Sequence, residues 1–314
     1  MDYGHKYADE RLKALEKKLK REYSKAASEA YSKARSYLDG FSVNDKILAN
    51  KVAKGEMSVT DYKKWRNNTF AMGTQWEETT KMLNESFINA NLIAADMINN
   101  NADDVFAMNV NYGTYEVEKL SKINTSFTLY DKETVRRLLE EKPSLLPTKN
   151  LKKKMTNRKI YRWHNQKYRS VITQSIIQGD SIPTIAKNLA YETANSDLNV
   201  ATRNARTMIT SAENGGRLES YKRAEKMGIE MLKEWLATND DRTRHSHAEI
   251  NGEQVAVDEE FSIGLQYPGD ESGDMDEVYN CRCTMVGALG GIDYDGDFDN
   301  SLASMSFEDW QNGL

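Results

Sequence analysis

Residues 235–286 read WLATNDDRTRHSHAEINGEQVAVDEEFSIGLQYPGDESGDMDEVYNCRCTMV. Both cysteines of the chain and two of its four histidines fall in this stretch, so the side chains best able to tie a loop down are concentrated here. Residues two apart in extended backbone point to the same side, and His245 with His247 and Cys281 with Cys283 are such pairs. Each pair can converge on one point. Two converging pairs of imidazole and thiolate donors suit a four-coordinate zinc ion, with Asp241 as an alternative to His245 for the fourth position. The competing reading is two strands whose cysteines are buried as small apolar side chains. The strand expected over 229–237 leads into this stretch, which predicts a small β-rich lobe.

Trp235-Leu236-Ala237-Thr238, Asp241-Arg242-Thr243-Arg244, Ser246-His247, Asn251-Gly252, Phe261, Tyr267-Pro268-Gly269-Asp270 and Asn280-Cys281-Arg282-Cys283-Thr284 stand here in order with few gaps. Upstream, Ala205-Arg206-Thr207 and Asn214-Gly215-Gly216-Arg217 lead to Tyr221. Together they resemble the signature of Mu F-like phage minor head proteins, which carry the phage head morphogenesis domain. The likeness covers about 170–286, with Trp235, Arg242, Arg244, Gly252, Asn280 and Arg282 as its framework residues; His245 lies outside the pattern. The resemblance implies a structural, non-enzymatic head protein of a tailed phage. Such a protein would meet the portal protein, and the major capsid or scaffolding protein, during procapsid assembly and DNA packaging or ejection. It would reside in the virion, inside the capsid or at the portal vertex, and in host cytoplasm during assembly. It also implies that His247, Cys281 and Cys283 lie close together.

With 314 residues, 39% hydrophobic and 29% charged, the chain is long enough for two domains with a sizeable core. The opening MDYGHKYADERLKALEKK has no apolar signal region, and no run of about 18 apolar residues occurs, so neither export nor membrane spanning is expected. A bridge between cysteines one residue apart would be strained, which favours a reducing compartment. The expected class is α+β: a long-helix N-terminal region over 1–148, a basic connector over 149–169, a mixed helical and β-rich domain over 170–290, and an acidic tail over 291–314.

Leu12, Leu15, Leu19, Tyr23, Ala26, Ala30, Ala34 and Tyr37 recur at three- and four-residue steps, which predicts one long helix ending at Asp39-Gly40. Ser58-Val59-Thr60-Asp61 has the form of a helix N-cap. A further helix is expected from Trp76, stopped by Asn99-Asn100-Asn101, with a turn or short extended piece over 110–115. Asp131 to Glu141 reads as a short helix ending before Pro143 and Pro147. Gly179-Asp180 breaks a helix that Ser181-Ile182-Pro183 reopens. Another helix is expected over 201–227, with a core stripe of Ala205, Ile209, Ala212, Leu218 and Tyr221. The Gly215-Gly216 pair inside it marks a close backbone approach or a kink.

Between Lys142 and Gly179 there is no acidic residue, while Lys149, Lys152, Lys153, Lys154, Arg158, Lys159, Arg162, Lys167 and Arg169 gather around Tyr161, Trp163 and Tyr168. Cations interleaved with aromatics suit non-specific DNA contact, and a solvated connector is the alternative. The aspartates after Gly287 do not form a calcium loop, because the sixth position from Asp293 is Phe298 and the twelfth Ser304. Phe307 and Trp310 are the expected anchors of this tail. Catalysis can be drawn on paper, with a Cys281 or Cys283 thiol beside His247, or as a metal-dependent nuclease or other phage-encoded enzyme or toxin using Asp240, Asp241, His245 and His247. Phosphate-binding glycine loops, nucleophile elbows and zinc-protease helix motifs are all absent from the sequence.

Overall fold

The computed structural model describes residues 2–142, 145–146 and 151–313. Pro143, Pro147 and Lys149, and with them the expected border at 148/149, lie outside the described residues. The protein is α+β: long helices dominate, and one three-stranded antiparallel sheet lies in the C-terminal part. It forms two compact units, one of 1–16, 97–150 and 203–314, the other of 17–96 and 151–202. These units interleave along the chain, whereas the division read from composition is linear. Three of their four borders fall inside the three longest helices, α1 (Tyr3–Asp39), α4 (Thr74–Ser121) and α8 (Ile182–Glu225).

The unit built on 17–96 and 151–202 is all helical. It holds α2 (Ser42–Ala53), α3 (Val59–Phe70), α6 (Leu151–Met155) and α7 (Arg158–Gln178), with parts of α1, α4 and α8. The α1 stripe Leu19, Tyr23, Ala26, Ala30 and Ala34 is buried as its spacing requires, and each large apolar side chain so enclosed contributes roughly 2 kcal/mol. Ser58 caps α3 by accepting from Asp61 N. Most of the segment read as a basic connector is helical, and Leu151, Met155, His164 and Tyr168 on it are buried. Its charges hid a second periodicity, an apolar step of three and four. A polar core network also runs through this unit: His164 Nδ1 lies 3.0 Å from Asn84 Oδ1, His164 Nε2 lies 3.0 Å from Asp197, and Tyr23 donates to Asn91 at 2.5 Å.

In the other unit, α4 does not stop at Asn99–Asn101 and does not turn over 110–115. Its asparagines bond back onto their own helix, Asn101 to Met97 O at 2.7 Å and Asn109 to Val105 O at 3.0 Å, so they satisfy rather than break the backbone ladder. Asn111 pins the following segment, donating to Tyr130 O at 3.0 Å and accepting from Tyr130 N at 2.8 Å. α5 (Lys132–Glu141) starts at its Asp131 cap. α8 is continuous through Gly215-Gly216. A Cβ on Gly216 would stand 2.6 Å from Phe106 O, so this glycine permits the close α4–α8 approach with no kink required.

α8 ends at Glu225, a turn closes at the left-handed Gly228, and β1 (Ile229–Leu236) follows as the central strand, flanked by β2 (Gln254–Ala256) and β3 (Thr284–Ile292). Trp235 faces Met285 and Lys233 faces Gly287 across β1 and β3. Leu218, Tyr221, Ile229, Met231, Val257, Tyr267 and Met285 form the core between α8 and the sheet. α9 (His245–Glu249) and α10 (Met275–Val278) lie in the long connections. The acidic tail is docked through α11 (Phe307–Asn312): Phe307 and Trp310 are buried with Tyr112, Tyr115 and Leu302. No helix among the described residues is long and apolar enough to cross a membrane.

Candidate metal centre

Three segments meet at one end of the sheet. β1 supplies Trp235, whose ring packs edge-on against His247 and Phe261 at centroid distances of 5.1 and 5.2 Å. α9 supplies His247, and the turn before β3 supplies Cys281 and Cys283. Two left-handed residues shape these connections. Gly252 has φ +86°, and its N donates to Trp235 O at 2.8 Å. Asn280 has φ +57°, a conformation asparagine tolerates better than most side chains.

The backbone around the cysteines is held from α8. Thr210 donates to Cys281 O at 2.8 Å, Asn214 donates to Cys283 O at 3.4 Å, and Asn214 Oδ1 accepts from Met285 N at 2.9 Å. Between the cysteines, Arg282 makes a bidentate pair with Asp240 at 2.5 and 2.6 Å, which holds the Asp240 carboxyl well below the usual range. Arg244 donates to Tyr279 O at 2.5 Å, and Arg242 lies 3.5 Å from Asp240 with its side chain exposed. Of the framework residues of the sequence pattern, Arg244, Gly252, Asn280 and Arg282 thus hold or shape the loops that carry the trio, while Arg242 is exposed.

His247 Nδ1 lies 3.4 Å from Cys283 Sγ and 3.7 Å from Cys281 Sγ, and the three residues are only 1–2% exposed. They form the one His/Cys/Asp/Glu group of metal-holding geometry found among the described residues, with ligand atoms within 4.8 Å of one another. A tetrahedral zinc ion with bonds of about 2.0–2.3 Å would place neighbouring nitrogen and sulfur ligands about 3.6 Å apart, so these residues fit the ion. On the far side, His247 Nε2 lies 3.0 Å from Glu277 Oε2 but off the line of a formed hydrogen bond; that carboxylate accepts from Ser246 at 2.8 Å. The Cys283 thiol is pushed down, first by the hydrogen bond from Cys281 and then by His247. The Cys281 thiol is pushed up by that same neighbour and by burial.

The structure leaves His245 and Asp241 outside this group. The His245 side chain is 87% exposed and sits 3.2 Å from Glu249, and Asp241 is exposed. His245 and His247 lie on a helical turn rather than a strand, so the same-side argument for that pair does not apply. Of the basic residues, Lys152 pairs with Asp96 at 2.7 Å and Lys167 with Glu192 at 2.9 Å, while Lys153, Arg158, Lys159, Arg162 and Arg169 are exposed.

Sequence reasoning did not find a buried charge cluster on α8. Arg217 is 0% exposed and donates to Asp2 at 2.5 Å, Met285 O at 2.8 Å and Asn109 Oδ1 at 3.2 Å. Glu116 and Glu213 each lie 3.8 Å from its guanidinium, and His5 lies 2.7 Å from Glu213. Burial pushes Glu116 up to about 7 against the pull of Arg217. Burial works against the Arg217 charge too, but Glu116, Asp2 and Glu213 outweigh it and the pKa rises. The available signal was Asn214, Arg217 and Ser220 at helical spacing, which by composition alone reads as a wet face.

A family model described as phage Mu protein F like protein matches residues 166–286. An NAD(+)–arginine ADP-ribosyltransferase, EFV, of Enterococcus faecalis (strain ATCC 700802 / V583) is 32% identical over 166 residues, covering 50% of this chain and 34% of that protein. The chain thus spans about a third of the length of that relative. Minor head protein GP7 of Bacillus phage SPP1 is 23% identical over 289 residues, covering 91% of this chain and 86% of that protein. No solved structure matches the chain.

Proposed function

We propose that this chain is a minor head protein of a tailed bacteriophage, a reading supported by the match of residues 166–286 to the phage Mu protein F like family. In this reading it is a structural component that meets the portal protein at the portal vertex and enters the capsid during procapsid assembly. One observation carries it: the likeness to a minor head protein runs through 91% of this chain and 86% of that relative, so it includes the helical regions as well as the matched domain. The ADP-ribosyltransferase likeness covers a third of that protein, which supports a shared module rather than a shared activity. The test is co-expression with the portal and major capsid proteins of the same phage. Co-purification with assembled portal or procapsid is expected. A chain that stays alone while those particles form would overturn the reading, as would metal-dependent turnover of nucleic acid lost in His247→Ala.

A second contact is favoured by α7. Arg158, Arg162 and Arg169 recur on one stripe of that helix, with Lys159, Tyr161 and Trp163 exposed beside them. This face supports weak, sequence-independent DNA binding through phosphate neutralisation. Arg158→Glu with Arg162→Glu and Arg169→Glu should lower both affinity and the steepness of its salt dependence. Unchanged values would assign the stripe to protein contact.

A further inference from the structure

We propose that His247 Nδ1, Cys281 Sγ and Cys283 Sγ bind one zinc ion that clasps the α9 connection to the start of β3, with Glu277 as the residue that orients the imidazole. This goes beyond the head-protein reading and does not depend on it.

The first argument is geometric. Nitrogen–sulfur separations of 3.4 and 3.7 Å bracket the edge of a zinc tetrahedron, about 3.6 Å for the usual bond lengths. Packed as neutral side chains, the trio would be held by one thiol donating to the other and one facing the imidazole, which are weak sulfur hydrogen bonds in a site 1–2% exposed. A dication answers both sulfurs and the nitrogen together. Two thiolates and an imidazole are also the soft and borderline donors that select zinc over magnesium or calcium.

The second argument is the way the donors are aimed. Arg282 turns outward to Asp240, so the cysteines on either side of it turn inward together. Thr210 and Asn214 hold their carbonyls from α8, and Thr238 holds Arg282 O at 2.6 Å, fixing the turn without help from the sulfurs. The cysteines are free thiols, and one residue between them is too few for an unstrained bridge. With Nδ1 facing the sulfurs, Nε2 faces Glu277 at 3.0 Å. A carboxylate behind the non-ligating nitrogen is the usual outer partner of a metal-bound histidine, and Ser246 holds this one in place at 2.8 Å. The protein supplies three of the four ligands that a tetrahedral zinc ion takes.

The full-length protein should be purified without a polyhistidine tag and analysed for metals. About one zinc per chain is expected, retained in His245→Ala and Asp241→Ala and lost in Cys281→Ser and Cys283→Ser, because structural sites need each thiolate. Chelation should lower the melting temperature of the wild type. Because the cysteine variants could fail to fold, two further measurements stand on folded protein. Cobalt added to the chelated wild type should give thiolate-to-cobalt charge-transfer absorption. Glu277→Gln should weaken zinc in competition with a chelator by about 10–100-fold, the usual cost of losing an outer carboxylate. Metal-free protein after growth in zinc, no charge-transfer band and a melt unmoved by chelation would overturn the site. Unchanged zinc affinity in Glu277→Gln would overturn the role given to that residue.

Discussion

The cluster of His247, Cys281 and Cys283 and the cluster around the buried Arg217 lie in one unit and are made in opposite ways. The first draws its donors from a 37-residue window, 247–283, and every donor is of a type that advertises chemistry. The second joins Asp2 and His5 of α1, Asn109 and Glu116 of α4, and Glu213 and Arg217 of α8. None of these is unusual in a charged helix. A short-range constellation announces itself in sequence, whereas a long-range one appears only after the helices are paired.

The largest test of this contrast is Arg217→Ala. Removing the guanidinium would leave Asp2, Glu116 and Glu213 with little compensation, and breaking a buried ion network from one side costs about 3–5 kcal/mol. Denaturant unfolding should show a loss of that size. A loss under about 1 kcal/mol, the worth of a surface pair, would mean that the cluster is solvated and that its burial was misjudged.

Lys233 gives a buried charge of a third kind, in the lobe but held by dipoles. Its Nζ donates to Val257 O at 3.0 Å, Gln266 O at 2.9 Å and Gln266 Oε1 at 3.0 Å. Burial first, and then the Lys222 charge, push its pKa down to about 8 despite Asp258, Asp270 and Glu260. In the window from about 8 up to the ordinary value of 10.5, the unfolded chain holds a proton that the folded chain has released. Stability therefore gains from this residue as pH rises through that window, by up to about 3 kcal/mol. The difference in unfolding free energy between wild type and Lys233→Met should climb with pH there. A flat difference would show that the ammonium is well solvated in the fold.

Legibility follows the same divide. The long α1, the Ser58 cap, α5, the strand at 229–236 and the closeness of His247 to both cysteines could be read locally, from periodicity, cap chemistry and a resemblance carried by contiguous motifs. The run of α4 through three asparagines could not, because an amide that looks like a helix stop can be answered by a carbonyl one turn back, as at Asn101 and Asn109, or by a distant segment, as at Asn111. The helical nature of the basic stretch was masked by its charges, and nothing in sequence places Asp2 against Arg217. Glu277, the neighbour of His247, was passed over because one glutamate among many carries no spacing signal.

A smaller pair of changes separates close packing from helix propensity within α8. Gly216→Ala would push a methyl to 2.6 Å from Phe106 O, against backbone that cannot swing aside, and overpacking of this kind costs about 1–3 kcal/mol. At Gly215 the nearest atom, Leu145 O, is 3.4 Å away, so Gly215→Ala should keep most of the roughly 1 kcal/mol that alanine gains over glycine in a helix. Thermal melts of the two variants should move in opposite directions. Equal shifts would imply that α4 and α8 are farther apart than these distances require.

The smallest expected effect falls on the residue the sequence offered most readily. His245 stands two positions from His247, and spacing alone makes it as good a ligand. The helical turn sends the two side chains apart, one to 87% exposure beside Glu249 and the other into the lobe against Trp235 and the sulfurs. An exposed pair four residues apart on a helix is worth about 0.3–0.5 kcal/mol, so His245→Ala should change unfolding free energy by no more than that. His247→Ala, by contrast, empties a packed site beside two thiols and should cost several-fold more, in keeping with the roughly 2–5 kcal/mol seen when large buried side chains are cut to alanine. The two substitutions delete the same atoms within three residues of each other, so the ratio of their costs measures what burial adds. Comparable losses would mean that α9 does not hold the turn seen here and that the alternating, strand-like reading of His245 and His247 was the correct one.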